Sequence, residues 1–155
     1  PQKSHETLIN GYSLFSKSYK NSKLLLVGEN IPKKFSTRDD DLIILKPSRN
    51  INQLYNILDL FILPSIGYEG FPNVLAEAML SEVFCISTDV GDSKKIINRY
   101  GLIFKKKNIQ NLNKKIFLSL KLKNSVLNSN ARKYIIANYN IKKMIKEYNT
   151  IRSNK

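Results

Sequence analysis

Two short apolar runs separated by an amphipathic stretch constrain the fold of this chain more than any other feature of its sequence. The runs are residues 58–63 and 83–88, and both are largely apolar rather than alternating. Such runs predict strands buried on both faces, as in a parallel sheet. Between them, apolar side chains at helical spacing predict a helix whose inward face carries Val74, Leu75, Ala78 and Met79. The stretch therefore predicts a βαβ unit, and open α/β sheets bind ligands at the carboxyl ends of their strands.

The turn that leads into this helix has the features of an anion site. Residues 64–68 are predicted to form a loop, and Pro72 is predicted to be the first helical residue, where no amide donor is needed. The first amides of a helix have no internal partners, and the helix dipole adds partial positive charge there. A diphosphate suits this place, and Gly70 has no side chain to keep a ligand away from the backbone.

Two acidic residues, Glu69 and Glu77, flank the turn with seven residues between them. Neither is expected to touch a phosphate, because like charges repel. Carboxylates accept hydrogen bonds from hydroxyl groups, and a sugar nucleotide carries many hydroxyls on its ribose and its hexose. The sequence therefore predicts a ligand with an anionic centre and hydroxyl-rich arms.

The string EGFPNVLAEAM at residues 69–79 resembles the E-x(7)-E signature of the group 1 glycosyltransferases, family 4. Residues 88–93 are similar to the next block of that family, residues 2–6 to the lysine-bearing turn that opens its donor domain, and residues 24–29 to its next strand and turn. The resemblance covers roughly residues 1–120. Two acids inside such a string, with the flanking blocks in the right order, are stronger evidence for the family than an isolated E-x(7)-E pair would be.

The resemblance implies an α/β fold, a Rossmann-like parallel sheet with helices on both faces that is one half of a GT-B fold. It implies transfer of a hexose from a UDP-, GDP- or ADP-sugar with retention of configuration and without a metal or another cofactor. In the catalytic roles, Glu69 would hold hydroxyls of the donor sugar and Lys3 would stabilise the leaving phosphate. Glu77 would hold the ribose hydroxyls, and residues 46–49 are secondary candidates near the base. The diphosphate is expected at the backbone of Gly70, Phe71, Pro72, Asn73, Val74 and Leu75.

Strands and helices alternate along the rest of the chain, which predicts a parallel sheet covered on both faces. The other predicted strands are residues 23–27, 42–45 and 101–104, and the other predicted helices are residues 7–19, 51–57, 94–98, 108–120, 124–139 and 141–151. A loop with a short helix is predicted at residues 32–41. We expect one nucleotide-sugar-binding domain, residues 1–155, closed by terminal helices in residues 124–155. The first strand and the acceptor-binding domain of the family are expected to be missing, so the isolated chain is expected to be inactive.

Several positions depart from the family pattern. Glu82 stands where a glycine usually ends the helix, Phe84 replaces a proline, and Lys95 replaces an acid. Glycine readily adopts the left-handed conformation that often ends a helix, and glutamate does not. Glu82 also adds negative charge near the negative end of the helix dipole. Because the family's arginine before Lys3 is also absent, a degenerate, non-catalytic donor domain is an alternative. A sugar-phosphate epimerase or phosphorylase of the same architecture is another, and the EGFPN-EAM string argues against it.

The net charge of +14 leaves three interpretations open. One is a binding module for nucleic acid or acidic polymer. We favour charge spread over solvated helices, because no stacking aromatics, zinc pattern or helix-turn-helix pattern stands out. The third follows from the resemblance, since enzymes with lipid-linked acceptors would meet an anionic membrane surface. No apolar run reaches membrane-spanning length and no signal peptide is visible, which predicts a cytoplasmic protein, peripheral at the inner membrane face under the third interpretation.

The single cysteine and the single histidine are not predicted to do chemistry. Cys85 lies within an apolar strand and is expected to be an inert core residue. His5 stands beside Glu6 and is expected to be a helix-start residue.

Overall fold

The computed structural model describes residues 3–29, 31 and 41–153 and has an α/β architecture. The helices are α1 His5–Ser18, α2 Ile51–Tyr55, α3 Asn73–Leu80, α4 Ser93–Ile97, α5 Ile109–Leu122, α6 Ser125–Asn138 and α7 Ile141–Ser153. The strands are β1 Leu24–Val27, β2 Leu42–Leu45, β3 Leu60–Leu63, β4 Phe84–Thr88 and β5 Leu102–Phe104. The predicted order of elements is confirmed, with ends displaced by one or two residues at most. The loop predicted at residues 32–41 lies outside the described residues except for its last position.

Hydrogen bonding divides the strands into two parallel sheets. In one, β1 pairs with β2, and Leu24 lies opposite Leu42. In the other, β4 lies between β3 and β5, with Leu60 opposite Phe84 on one side. Since β3 and β4 run in the same direction, their carboxyl ends lie at one edge of the sheet, and the loops that follow them are neighbours.

The side chains of β4 alternate between two hydrophobic clusters, one on each face of its sheet. Phe84 and Ile86 pack with residues of α1 and α5, whereas Cys85 packs with residues of α3, α4 and α6. Helices therefore cover both faces, as the sequence predicts. Cys85 is buried in the core as expected, and burial raises the pKa of its thiol well above its usual range. Each fully buried large apolar side chain stabilises the fold by roughly 1.5–3 kcal/mol, so this packing fixes the position of β4.

Helix α3 differs from its prediction in two respects. Pro72 is the N-cap residue of α3 and not its first residue, because the helix begins at Asn73. The predicted inward position of Val74 is wrong, since this residue is 36% exposed. Ala76 is buried instead, within the hydrophobic cluster that also contains residues of α6. The inward face of α3 is therefore rotated away from Val74 and toward Ala76.

None of the helices among the described residues combines the length and the apolar character needed to cross a bilayer.

Candidate functional site

The amino-terminal segment lies beside the loop that follows β3. Lys3 forms an isolated antiparallel bridge with Ser65, and the backbone amide of Ser4 donates a hydrogen bond to the carbonyl of Pro64 at 3.3 Å. Helix α1 then begins at His5, which confirms the helix-start prediction for that residue. This pairing holds the side chain of Lys3 at the carboxyl end of β3.

The carboxylate of Glu69 is held by two side chains from this segment and loop. The ammonium group of Lys3 forms an ion pair with Oε1 of Glu69, and the Ser65 hydroxyl donates to the same oxygen at 2.6 Å. The Glu69 side chain is 11% exposed and that of Lys3 is 39% exposed. Among the described residues, Oε2 of Glu69 has no hydrogen-bond partner. The structure thus brings together the two residues assigned catalytic roles and leaves one carboxylate oxygen of Glu69 available to a ligand.

Ser65 is itself held from the neighbouring strand. The hydroxyl of Thr88, the last residue of β4, donates to the backbone carbonyl of Ser65, and both residues are fully buried. Sequence reasoning missed Ser65 and Thr88 as parts of this site. A signal was present, because both lie at the carboxyl ends of strands predicted to be adjacent and parallel, where side chains of the two strands meet.

The loop that carries Glu69 and Gly70 rests on the loop that follows β4. Gly91 has a φ of +52°, and a β-carbon at this position would collide with the carbonyl oxygens of Glu69 and Gly70. The amide of the next residue, Asp92, donates to the Gly70 carbonyl at 3.0 Å. Only glycine combines the left-handed backbone with this close approach. Gly91 therefore allows the loop after β4 to support the loop that carries Glu69 and Gly70.

The amino-terminal end of α3 presents backbone amides to solvent. Pro72 has no amide hydrogen, and the amide of Leu75 donates to the Pro72 carbonyl at 3.0 Å, so neither adds a donor to the anion site in this structure. The remaining amides of the predicted diphosphate site donate to no acceptor among the described residues, and their residues are exposed. They belong to Gly70, Phe71, Asn73 and Val74. An anion could accept hydrogen bonds from these amides without displacing any internal partner.

Glu77 lies one helical turn further along α3 and is held by a tyrosine. The hydroxyl of Tyr55, at the end of α2, donates to Oε2 of Glu77 at 3.0 Å and lies 3.3 Å from the carbonyl of Val74. Tyr55 is only 3% exposed, and burial followed by the hydrogen bond to Glu77 raises the pKa of its phenol far above the usual 10.0. The phenol therefore stays protonated and remains a donor at neutral pH. Within the described part of the chain, Oε1 of Glu77 has no hydrogen-bond partner.

An aromatic contact joins the turn to the end of α6. The ring of Phe71 lies 5.2 Å from that of Tyr139, which in turn lies 6.0 Å from Tyr134. Burial and then the hydrogen bond with Tyr134 raise the pKa of Tyr139 to about 12. This contact packs the Phe71 side chain of the loop against the residue that follows α6.

The secondary candidates, residues 46–49, form an exposed loop after β2. Its described side-chain contact is internal, since the amide of Asn50 donates to the Ser48 hydroxyl at 3.1 Å. No contact recorded among the described residues joins this loop to Glu69 or Glu77, so a role near the base stays a prediction. In the same described part of the chain, no group of three or more His, Cys, Asp or Glu residues is arranged to hold a metal ion.

The fold and this sheet edge define an α/β domain with a candidate site for an anionic, hydroxyl-rich ligand, and comparison with known proteins identifies its family. The family profile described as "Glycosyl transferases group 1" matches residues 1–121. The chain therefore belongs to the group 1 glycosyltransferase family. A comparison with curated individual proteins finds no match.

Solved structures support the fold. HepE from Anabaena, crystallised in complex with UDP, is 19% identical with a TM-score of 0.85, covering 100% of this chain and 46% of its own. A glycosyltransferase from Rickettsia africae is 23% identical with a TM-score of 0.82, covering 97% of this chain and 44% of its own. The C-terminal domain of LpcC from Francisella tularensis is 22% identical with a TM-score of 0.74, covering 90% of this chain and 81% of that domain. The chain thus matches about half of each of the two longer relatives. This confirms the prediction that the domain is one half of a GT-B fold.

Proposed function

We propose that this chain binds the donor substrate of a retaining glycosyltransferase, a nucleoside diphosphate sugar from which a hexose is transferred. The observation that carries the proposal is the pairing of Lys3 with Glu69 directly before the unpaired amides of α3. A cation and free amides suit a diphosphate, and a fixed carboxylate suits the hydroxyls of a sugar. One sheet edge therefore offers both kinds of contact that such a donor needs.

Each part of the donor is assigned to one group of residues. The diphosphate binds the free amides of the α3 turn and the Lys3 ammonium, which has three N–H donors and can keep Glu69 while it binds phosphate. The free oxygen of Glu69 accepts from hydroxyls of the hexose. The free oxygen of Glu77 accepts from the ribose hydroxyls. In this assignment the lysine and the helix dipole stabilise charge on the leaving diphosphate, and no metal is needed.

The family and the solved relatives direct the choice of nucleotide. Structures of Anabaena HepE contain UDP and UDP-glucose, so UDP is the first nucleotide to test, followed by GDP and ADP. This chain matches only about half of each longer relative. The acceptor is proposed to bind a domain that corresponds to the other half, so an acceptor-binding domain is the expected partner. The net charge of +14 would suit an acceptor at an anionic membrane surface.

Isothermal titration calorimetry tests the proposal. The 155-residue chain should bind at least one of UDP, GDP and ADP, and should bind the matching sugar nucleotide at least as well. The same chain should transfer no sugar in a product assay, because transfer requires both substrates to be held in attack geometry. Absence of binding to all three nucleotides at millimolar concentration would refute the donor-binding role. Sugar transfer by the chain alone would refute the assignment of the acceptor to another domain.

A further inference from the structure

Tyr55 is placed by its core packing rather than by its hydroxyl. It ends α2 within the hydrophobic cluster that also contains residues of α3, and its ring meets that of Phe61 edge-on at 5.9 Å. The hydroxyl emerges from this packing beside the exposed face of α3. Because the residue is buried and its ring is packed in this cluster, its oxygen is a well-placed point for a hydrogen bond to the Glu77 side chain.

The Tyr55 hydroxyl has one hydrogen and two acceptors within reach. The Glu77 carboxylate is both nearer, at 3.0 Å against 3.3 Å for the Val74 carbonyl, and charged, so it is the stronger acceptor. A phenol keeps its hydrogen at neutral pH, and the pKa of Tyr55 is raised further above the usual 10.0, first by burial and then by the hydrogen bond to Glu77. One oxygen of Glu77 is therefore occupied from within the protein, and the other is the one left for a ligand.

We propose that Tyr55 is a positioning residue that orients Glu77 toward the vicinal hydroxyls of a ribose, and so makes the site selective for ribonucleoside over 2′,3′-dideoxyribonucleoside diphosphates. The inference rests on the proposed donor-binding function. Glu77 lies on a partly exposed face of α3 and has three side-chain torsions to fix when it binds a ligand; a side chain already held by a buried donor loses less freedom. Tyr55 contributes through Glu77 and touches no ligand itself.

Tyr55→Phe tests this inference because it removes one oxygen and keeps the ring contact with Phe61. Tyr12→Phe is the matched control, since the buried Tyr12 also donates through its hydroxyl, to the carbonyl of Ser22 at 2.6 Å, and lies in the other hydrophobic cluster. Calorimetry would compare UDP with 2′,3′-dideoxy-UDP on each protein. The wild type should bind UDP more tightly. Tyr55→Phe should weaken UDP binding about three- to tenfold and leave the dideoxy analogue unchanged, whereas Tyr12→Phe should change neither.

The outcomes separate this inference from the function on which it rests. If the wild type binds neither UDP, GDP nor ADP, the donor-binding function fails. If the wild type prefers UDP over the dideoxy analogue and Tyr55→Phe keeps the same preference, the role of Tyr55 is refuted. Equal weakening of both ligands by Tyr55→Phe would show that the hydroxyl acts on the fold and not on ribose recognition, which also refutes it.

A second variant tests the same contact without changing Tyr55. In Glu77→Gln, a fixed Tyr55 hydroxyl would hold the amide oxygen and leave the amide nitrogen facing the ligand, so selectivity for UDP should fall. Full retention of the UDP preference would overturn the inference, because it would mean that residue 77 turns freely to present its oxygen. Thermal melts of every variant establish that the titrated protein is folded.

Discussion

The ammonium group of Lys3 is paired with the carboxylate of Glu69 across a separation of 66 residues in the sequence. Ser65 donates to the same carboxylate oxygen, so Glu69 is fixed before any ligand arrives. The pair is largely shielded on the glutamate side and partly open on the lysine side. The remaining ammonium hydrogens of Lys3 are therefore partly accessible from solvent and can donate to an anion.

We therefore expect Lys3→Met to weaken the binding of UDP by about 1.5–3 kcal/mol, the usual contribution of hydrogen bonds to charged groups. Binding of uridine, which lacks the diphosphate, should change little. Lys23→Met is the control, because the Lys23 ammonium lies 3.9 Å from Asp41 in an exposed pair. Calorimetry with UDP and uridine on the three proteins measures the effect. An equal loss for both ligands would contradict a phosphate contact.

Most of the fold could be predicted because the sequence signals for its strands, helices and turns are local. The apolar runs of β3 and β4, the helical spacing in α3 and the glycine-bearing turn between them each depend on neighbouring residues alone. The exposure of Val74 could not be predicted in this way, because Val74 and Ala76 are both apolar and both close to the inward stripe. Ala76 is buried in a hydrophobic cluster that draws on distant parts of the chain, among them α6, and this packing is not readable from neighbouring residues.

The candidate site was predictable only in the residues of the recognised motif and in Lys3, which lies in one of its flanking blocks. Seven residues separate Glu69, in the loop before α3, from Glu77 within one signature, whereas Tyr55, the partner of Glu77, comes from another element. Tyr55 lies 22 residues before Glu77, and no spacing rule connects the end of α2 to the exposed face of α3. The support for Glu69 from Ser65 likewise depends on the path of the loop after β3. The contact of Tyr55 with Glu77 therefore becomes visible only in three dimensions.

We expect Glu82→Gly to stabilise the domain. Glu82 has a φ of +59°, the amide of Val83 donates to the Ala78 carbonyl at 3.0 Å, and that of Glu82 donates to the Met79 carbonyl at 3.1 Å. These bonds form a Schellman motif in which Glu82 occupies the left-handed position that glycine prefers. Relief of about 1–2 kcal/mol of backbone strain, less the entropy that glycine adds to the unfolded chain, leaves a gain of about 0.5–1 kcal/mol.

Thermal melts of three proteins measure this gain and its origin. A stabilisation of this size should raise Tm by about 1–4 °C in a domain of this length. Glu82→Ala removes the charge near the negative helix end but keeps the β-carbon, so it should stabilise less than Glu82→Gly. A lower Tm for the glycine variant than for the wild type would show that Glu82 makes a stabilising contact that outweighs the strain.

The stability of the domain should fall in mild acid because of His5. Burial and then the nearby Lys3 ammonium lower the pKa of His5 below its ordinary value of 6.5. Because the pKa of His5 is lower in the folded state, the unfolded chain binds the proton more readily. The contribution of His5 to the stability of the domain is therefore full above pH 6.5 and declines as the pH falls through that value toward the folded pKa. Denaturant unfolding from about pH 7.5 to about pH 5.5 should show this decline, since histidine titrates in this interval. The decline should be shallower in His5→Gln, and an identical pH profile in the two proteins would contradict the assignment.

The basic charge of the chain is not expected to form a nucleic-acid site. The lysines and arginines lie on several different helices, and the two most exposed aromatic side chains of the described residues, Tyr68 and Tyr148, belong to separate elements. Binding to mixed-sequence DNA should therefore be weak and should vanish near physiological salt, as expected for nonspecific phosphate contacts. Fluorescence anisotropy with labelled DNA at increasing salt measures this. Submicromolar binding that survives physiological salt would contradict the expectation.

The two acids of the motif should have separable effects, because they are assigned to different parts of the donor. Glu77→Ala should weaken UDP binding by about 1–3 kcal/mol, since it removes an ionised acceptor for the ribose hydroxyls. Glu69→Ala should barely change the affinity for UDP but should reduce any additional affinity for UDP-glucose. Calorimetry with both ligands on the three forms gives the comparison, and melts must show that Glu69→Ala is folded, since it also removes the partner of Lys3. Equal UDP affinity in the wild type and Glu77→Ala would refute the ribose role, and an unchanged preference for UDP-glucose in Glu69→Ala would refute the sugar role, so each assignment fails independently of the other.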